Sequence, residues 1–360
     1  MPGRLTQLGA SSTVGRASHS RHNVRAVIAF QCCTRTACRG TEAKTDAMNH
    51  AGDRLDALVI GGGPAGLTAA IYLARFGRRF GVIDADESRA ASIPESHNIP
   101  FFGDGIPGSS ILARIRGHAG QYDISPLAAS VTSLVREGTG FLAEARMKDG
   151  GTRSISARRI LLATGSRDIE PRLPDLPDAV RRGLVRYCPI CDGFESRDRR
   201  IAVIGHGARG LAEATFIART YSNDVSLLSL GERLQLSPED LKLAKRHGIC
   251  LVEDAVVGLD VRDGRIAAMH TGGGTELRFD LLYSALGLHY RTELAAGLGA
   301  HLDDSGSLTV DEHGMTSVSG LYAAGDIVRG LDQIVVGMGQ AAIAATHIHN
   351  HCELPLDGEV

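Results

Sequence analysis

The chain has 360 residues, more than one hydrophobic core usually holds, so two domains are expected. Its net charge of −2 and 43% hydrophobic content favour a globular protein, and the absence of Trp argues against stacking on nucleic acid. No apolar run approaches the ~18 residues of a membrane span. Seven cysteines in so long a chain do not indicate a secreted disulfide scaffold, which favours a reducing compartment and a cytoplasmic protein.

Residues 1 to about 52 differ in composition from the rest of the chain. They are rich in Arg, contain many Ser and are poor in acidic residues, a pattern typical of an organellar transit peptide. The alternative is a start codon assigned too early, with Met48 as the true first residue. We favour this alternative because Met48 stands just ahead of the first expected strand. In either case residues 1–53 are expected to be an unstructured extension.

The first recognisable unit is a strand, a glycine-rich turn and a helix. An apolar strand over 56–60 leads into Gly-Gly-Gly-Pro-Ala-Gly, helical spacing follows, and a second strand ends in an acid. This is the Gly-x-Gly-x-x-Gly fingerprint in its proper context: the glycines let the backbone approach a pyrophosphate, and the acid binds ribose hydroxyls. A merely tight turn would leave three glycines at this spacing unexplained. The residues expected to hold the dinucleotide are Gly61, Gly63, Pro64, Ala65, Gly66 and Asp84.

The next hundred or so residues carry weaker signals. The polar stretch 88–126 is punctuated by Gly and Pro, and it could line a cofactor pocket or simply connect two elements. Strands are expected over 141–147 and 159–165. Three prolines then crowd together, which predicts a linker: Pro171, Pro174 and Pro177.

A Cys-x-x-Cys motif follows the linker, with a carboxylate directly behind its second cysteine. One helical turn between Cys188 and Cys191 would place their Cα atoms near the ~5.5 Å at which a disulfide closes without strain. Pro189 suits a first helical position, so Cys188 would lie where a helix N-terminus favours a thiolate. Asp192 could exchange a proton with a nearby sulfur or flavin. The alternative is half of a zinc site, but no second Cys or His pair follows closely, so no metal is expected.

The chain then repeats its opening design. A strand over 200–204 leads into Gly-His-Gly-Ala-Arg-Gly and a helix, and another strand spans 224–230. Gly205, Gly207 and Gly210 are therefore expected to hold a second nucleotide, unless this copy is degenerate. A strand ending in Gly325-Asp326 and a helix from about residue 339 complete the pattern.

Together these motifs resemble the low-molecular-weight thioredoxin reductases, FAD-dependent pyridine nucleotide-disulfide oxidoreductases, over about residues 54–351. The motifs stand in the family's order at 61–66, 163–165, 188–193, 205–210 and 323–326. The resemblance implies an α/β fold of two three-layer, Rossmann-like domains. The FAD-binding domain would comprise 54–168 and 289–351, and the NAD(P)-binding domain, 169–288, would be inserted into it and carry the cysteines. It also implies a homodimer.

The resemblance further implies where the cofactor lies. The first fingerprint would hold the ADP half of FAD, with Gly165 in a second motif of the same domain. Asp326, after Gly325, would contact the ribityl and phosphate region of the flavin, and Gln333 would lie near the isoalloxazine.

The mechanism that the resemblance implies is an electron relay. NADPH or NADH would reduce the flavin, which would open the disulfide through the flavin-proximal Cys191. Cys188 would then attack the disulfide of a thioredoxin-like protein or a small molecule, with Asp192 as the acid/base. The inserted domain is expected to rotate between these steps, about hinges at 171–177 and 287–291.

Departures from the family keep other functions open. The Arg cluster with which NADPH-preferring members bind the 2′-phosphate is missing, because the matching stretch 229–235 offers only Arg233. No acid stands right at the strand's end, as an NAD site usually offers, so the nucleotide preference is open and pyridine nucleotide could be dispensable. Flavin dithiol oxidases share the fold and pass electrons from a small dithiol to oxygen, but they tend to have His in place of Asp192, which favours a reductase. A non-catalytic flavin-binding redox sensor would need a lost cysteine or a broken fingerprint, and neither is seen.

Overall fold

The computed structural model describes residues 54–173, 176–262 and 265–353. The expected extension, 1–53, and Pro174 of the expected linker lie outside the described residues. Two short 3-10 helices occur at Arg89–Ser92 and Phe194–Ser196. The other elements in chain order are β1 (Leu55–Ile60), α1 (Pro64–Arg75), β2 (Phe80–Asp84), α2 (Gly108–Gly120), β3 (Leu127–Glu137), β4 (Gly140–Met147), β5 (Thr152–Leu162), β6 (Ser166–Asp168), α3 (Leu176–Arg181), β7 (Val185–Arg186), α4 (Pro189–Asp192), β8 (Ile201–Ile204), α5 (Gly207–Thr220), β9 (Val225–Leu228), α6 (Pro238–Arg246), β10 (Cys250–Val252), β11 (Val256–Arg262), β12 (Arg265–Thr271), β13 (Glu276–Leu277), β14 (Leu281–Ser284), β15 (Leu288–Tyr290), α7 (Glu293–Gly297), β16 (Leu321–Ala323) and α8 (Ile334–His351).

The first sheet is built by the early strands and completed by β16. β1 lies between β2 and β5, β16 lies beyond β5, and the start of β3 pairs with β2, all in parallel. The rest of β3 pairs with β4, and β4 with β5, as an antiparallel meander. Alternate residues of β1 face opposite sides: Ala57 and Val59 pack against α1 and α8, whereas Leu58 and Ile60 pack toward the meander and α7. The sheet is therefore the middle of three layers.

The second sheet is entirely parallel, with the order β10-β9-β8-β14-β7. Its central strand β8 again points alternate side chains to two cores. Ile201 and Val203 pack with α5 and α6, whereas Ala202 and Ile204 pack with α3 and with β12 of the antiparallel sheet β11-β12-β13. These two three-layer arrangements confirm the predicted α/β fold class with two Rossmann-like units.

The two sheets are connected by a short antiparallel pair. β6 pairs with β15, with Asp168 opposite Leu288 and Ser166 opposite Tyr290. The chain thus leaves the first sheet and returns to it along neighbouring strands. The proline-rich stretch is not a plain linker, because α3 begins within it at Leu176. The exact domain boundaries remain a prediction.

The last helix begins earlier than the sequence suggests. The sequence predicts a helix from about residue 339, whereas α8 starts at Ile334. Gly337 is a packing residue here, since a Cβ on it would lie 2.9 Å from the Cα of Gly325. Across the stretches 54–173, 176–262 and 265–353, no helix is long and apolar enough to cross a membrane.

Candidate active site

One cavity of approximately 510 Å³ lies where the carboxyl ends of the first sheet meet the cysteine motif. Gly66 is buried beneath the first fingerprint turn rather than lining the cavity, and the second fingerprint follows β8 in the other sheet. The predicted site residues that line the cavity are Gly61, Gly63, Pro64, Ala65, Asp84, Gly165, Cys188, Cys191, Asp192, Gly325, Asp326 and Gln333.

The first fingerprint forms a cradle that admits only glycine at key positions. Gly61 has φ of +114°, and a Cβ on it would lie 2.2 Å from the carbonyl oxygen of Ala163. A Cβ on Gly66 would lie 1.8 Å from the carbonyl oxygen of Gly61. Within the described chain, no side chain caps the N-terminus of α1, so its first amides are open to an anion. Asp84 accepts a hydrogen bond from the amide of Gly62 at 3.1 Å. The cradle therefore fits the ADP part of a dinucleotide.

A cluster of charges forms the cavity wall next to Gly325. Arg89 donates to both carboxylate oxygens of Asp168, at 2.6 and 2.8 Å, and to Asp326 at 3.2 Å. Burial opposes this charge, but the two carboxylates outweigh it and raise the pKa of Arg89. Asp332 also lines the cavity, and burial together with the charge of Asp326 raises its pKa to about 7. The sequence alone did not identify Arg89, Asp168 or Asp332 as site residues. Of these, only Arg89 lies in the stretch 88–126, which was expected to line a cofactor pocket or to connect two elements.

The two cysteines form a disulfide, with sulfurs 2.10 Å and Cα atoms 5.4 Å apart, close to the expected separation. Pro189 stands at the first position of α4 and Cys188 at its N-cap, as predicted. However, α4 is a single turn, so its dipole is too short to favour a thiolate strongly.

The disulfide contacts a buried glutamine from the other end of the chain. Gln333, the N-cap residue of α8, points its amide nitrogen at Cys188 Sγ (3.4 Å) and Cys191 Sγ (3.5 Å). Its amide oxygen accepts from Asn98 Nδ2 at 2.7 Å, and the same nitrogen of Asn98 lies 3.4 Å from the carbonyl oxygen of Ile190. Asn98 and Gln333 thus tie the cysteine turn to the first sheet.

Asp192, directly after the second cysteine, belongs to a buried polar network. Tyr283 Oη donates to its carboxylate at 2.7 Å, and Arg186 Nη1 lies 3.4 Å from it. Ser196 Oγ contacts both Tyr283 Oη (3.1 Å) and Arg186 Nη1 (3.0 Å). Burial raises the pKa of Asp192 above its ordinary value, although Arg186 and Tyr283 oppose the shift. A buried carboxyl with a raised pKa suits a proton donor or acceptor.

The second fingerprint also has the form of a nucleotide-binding turn. A Cβ on Gly210 would lie 2.8 Å from the carbonyl carbon of Gly205, so close packing of the turn requires glycine there. Gly207 has φ of +61° and begins α5, with His206 as the N-cap. No side chain of the described residues caps this helix, but its first amide, that of Gly207, already donates to the carbonyl of Leu234 at 2.6 Å. Only the amides that follow Gly207 are therefore left for a phosphate.

The sequence matches a family model described as pyridine nucleotide-disulphide oxidoreductase over residues 55–341. The chain is 31% identical over 322 residues to the F subunit of an alkyl hydroperoxide reductase from Xanthomonas campestris pv. phaseoli. It is also 31% identical over 316 residues to an NADH dehydrogenase of Bacillus subtilis (strain 168). These alignments cover 86% and 84% of this chain but 59% of each relative, so the chain spans about three fifths of their length.

Solved structures agree in fold. The crystal structure of HlmI is 28% identical, with a TM-score of 0.74, and covers 84% of this chain and 93% of its own. A thioredoxin reductase from Streptococcus pyogenes MGAS5005 is 24% identical with a TM-score of 0.74, covering 83% and 98%, and supports the fold alone. Together the matches confirm the resemblance to the pyridine nucleotide-disulphide oxidoreductases and the fold class expected from the sequence.

Proposed function

The chain belongs to the pyridine nucleotide-disulphide oxidoreductases, a family that uses FAD with NADH or NADPH, and from this premise we propose a thioredoxin reductase-like enzyme. It carries electrons from the pyridine nucleotide to the Cys188–Cys191 disulfide and on to an external disulfide. The observation that supports the proposal most is that the disulfide and the glycine cradle line the same cavity. When bound there, FAD supplies the two-electron chemistry that links nicotinamide to sulfur.

Different residues of the cavity would bind different parts of FAD. The open amides of α1 and the first fingerprint hold the pyrophosphate, and Asp84 receives the ribose hydroxyls. Asp326, whose carboxylate Arg89 contacts at 3.2 Å, would hold the ribityl and phosphate region of the flavin. Gln333 fixes the orientation of the sulfur pair through its amide nitrogen.

For the sulfur chemistry the chain contributes two cysteines and one acid, and the pyridine nucleotide is the source of the two electrons. Two electrons and two protons break the S–S bond and leave two thiols, with Asp192 holding or returning one proton. The Cys188 thiolate attacks one sulfur of the external disulfide, which breaks and expels the other sulfur as a thiolate. Cys191 then attacks Cys188, releases the substrate as a dithiol and restores the internal disulfide.

The same proposal assigns the larger units. The FAD-binding domain comprises 54–168 and 289–351, the NAD(P)-binding domain comprises 169–288, and the β6–β15 pair joins them. All strands of the first sheet come from the former ranges and all strands of the second from the latter. A homodimer in the cytoplasm that reduces a thioredoxin-like protein or a small disulfide completes the proposal.

An anaerobic titration tests the proposal. NADH or NADPH should bleach the visible flavin absorbance of the FAD-loaded protein, and a disulfide substrate should restore it without oxygen. Cys191→Ser should keep its flavin but lose disulfide reduction, whereas Cys250→Ser, an exposed cysteine on β10, should behave as the parent. If only a small dithiol bleaches the flavin and oxygen alone restores it, the chain is a dithiol oxidase instead.

A further inference from the structure

The two fingerprints of this chain can be compared position by position. In the first fingerprint, Asp84 is the last residue of β2. Its carboxylate accepts a hydrogen bond from the amide of Gly62, the second fingerprint residue. An acid at this place accepts hydrogen bonds from the hydroxyls of a nucleotide ribose. β9 is the strand that corresponds to β2 at the second fingerprint. It ends at Leu228 and is followed by Ser229, so no acid stands at its end.

The structure nevertheless brings an acid to the second fingerprint. Glu232 Oε2 lies 3.9 Å from Nδ1 of His206, the second residue of that fingerprint. Both turns thus have a carboxylate at their second residue, although Asp84 accepts from the backbone amide of Gly62 whereas Glu232 contacts the side chain of His206. The Glu232 side chain is 68% exposed, so a ligand can reach it.

The loop after β9 explains how an acid so far from the strand's end reaches this place. Leu230 (φ +56°) and Gly231 (φ +98°) are both left-handed, and together they turn the chain back toward the fingerprint. A Cβ on Gly231 would lie 2.9 Å from the Cβ of Ala255, so this turn requires glycine. The Ser229 hydroxyl donates to the carbonyl of Glu232 and closes the turn.

The segment that follows Glu232 in the chain is hydrogen-bonded to the second fingerprint. The Gly207 amide donates to the carbonyl of Leu234 at 2.6 Å, and the Leu234 amide donates to Glu253 at 2.8 Å. The Leu234 side chain is buried in the same core as α5. The Ser229 hydroxyl closes the turn before Glu232, and the Gly207–Leu234 hydrogen bond joins the segment after it to the fingerprint, so Glu232 is held beside His206.

We propose that Glu232 binds the adenosine ribose of the pyridine nucleotide and makes this chain prefer NADH to NADPH. The inference rests on the proposed function, because it specifies the electron donor of the same enzyme. A carboxylate accepts hydrogen bonds from a 2′-hydroxyl, but it repels a 2′-phosphate that carries nearly two negative charges. Arg233 is exposed beside Glu232 and is the residue that would favour the phosphate if it, rather than Glu232, faced the ribose.

Equilibrium binding separates these two residues. Calorimetry on the FAD-loaded, full-length protein would compare ADP-ribose with 2′-phospho-ADP-ribose, so the readout does not depend on turnover. The parent should bind ADP-ribose roughly 10- to 100-fold more tightly, the range expected for hydrogen bonds to a charged group. Glu232→Gln should bring the two affinities within about threefold of each other by removing the repulsion. The matched neighbour Arg233→Ala should leave the preference of the parent unchanged.

The outcomes distinguish this inference from the proposed function. Tighter binding of 2′-phospho-ADP-ribose by the parent, or loss of discrimination in Arg233→Ala but not in Glu232→Gln, overturns the inference and leaves the reductase intact. Binding of neither probe overturns the pyridine nucleotide step of the proposed function, and the inference with it.

Discussion

Replacing Arg89 with Gln should destabilise the folded chain, because Arg89 is the cation shared by two carboxylates of the cavity wall. It pairs with Asp168 at 2.6 Å and with Asp326 at 3.2 Å, and its side chain is only 20% exposed. The variant would leave both carboxylates, and nearby Asp332, without this positive charge.

The exposure of the partners sets the size of the effect. Removing one member of a fully buried ion pair costs about 3–5 kcal/mol. Asp168 and Asp326 are 13% and 23% exposed, so water recovers part of this cost and we expect about 2–3 kcal/mol. For a chain of this length, 1 kcal/mol lowers Tm by roughly 2 °C, which predicts a fall of about 4–6 °C.

Thermal melts of the parent and Arg89→Gln at pH 8 measure this fall. The matched control is Arg278→Gln: Arg278 pairs with Glu276 at 2.7 Å, but the side chains are 66% and 44% exposed. Its loss should stay below about 0.5 kcal/mol. The deficit of Arg89→Gln should shrink toward pH 5, because Asp332, whose pKa is raised to about 7, is neutral there and no longer repels the carboxylates that lose Arg89. Equal losses in the two variants would refute the claim that burial makes the Arg89 cluster stabilising.

Three further predictions follow from single residues. Burial and neighbouring carboxylates raise the pKa of Asp332 to about 7, so its contribution to stability should fall as pH rises from about 4 to 7. In urea unfolding, Asp332→Asn should therefore raise the free energy of unfolding by about 1–2 kcal/mol at pH 8 but by little at pH 5. Gly66→Ala places a Cβ 1.8 Å from a backbone oxygen, so it should lower the free energy of unfolding by about 3 kcal/mol and remove most of the bound FAD, measured as flavin content. The control Gly117→Ala, in open space on α2, should be neutral or slightly stabilising. Tyr283→Phe removes the 2.7 Å donor to Asp192 and should move the acid limb of the pH–rate profile for disulfide reduction upward by about one unit.

Each of these predictions has a contrary result. A pH dependence of stability that is unchanged in Asp332→Asn would assign the titration to another group, such as Glu213, whose pKa burial also raises to about 7. Full flavin content in Gly66→Ala would mean that the turn relaxes without loss of the cradle. An unmoved pH profile in Tyr283→Phe would show that Asp192 does not control the rate.

The sequence by itself determined the features that are written in local spacing. A strand, three glycines and a helix are consecutive in the chain, so the first fingerprint and the α/β class could be predicted without contacts between distant residues. The cysteine pair is equally local, because one turn of backbone sets its Cα separation. The resemblance then added Asp326 and Gln333, which no local pattern identifies.

Only the tertiary structure decided which distant groups meet. Asn98, Gln333 and the disulfide come from three separate parts of the chain, as do Arg89 and its two carboxylates. Glu232 was missed for a related reason: the expected place for an acid was the strand's end, and two left-handed residues moved it to the fingerprint instead. Covalent spacing fixes neighbours within a few residues, whereas contacts between distant segments depend on how the whole chain packs.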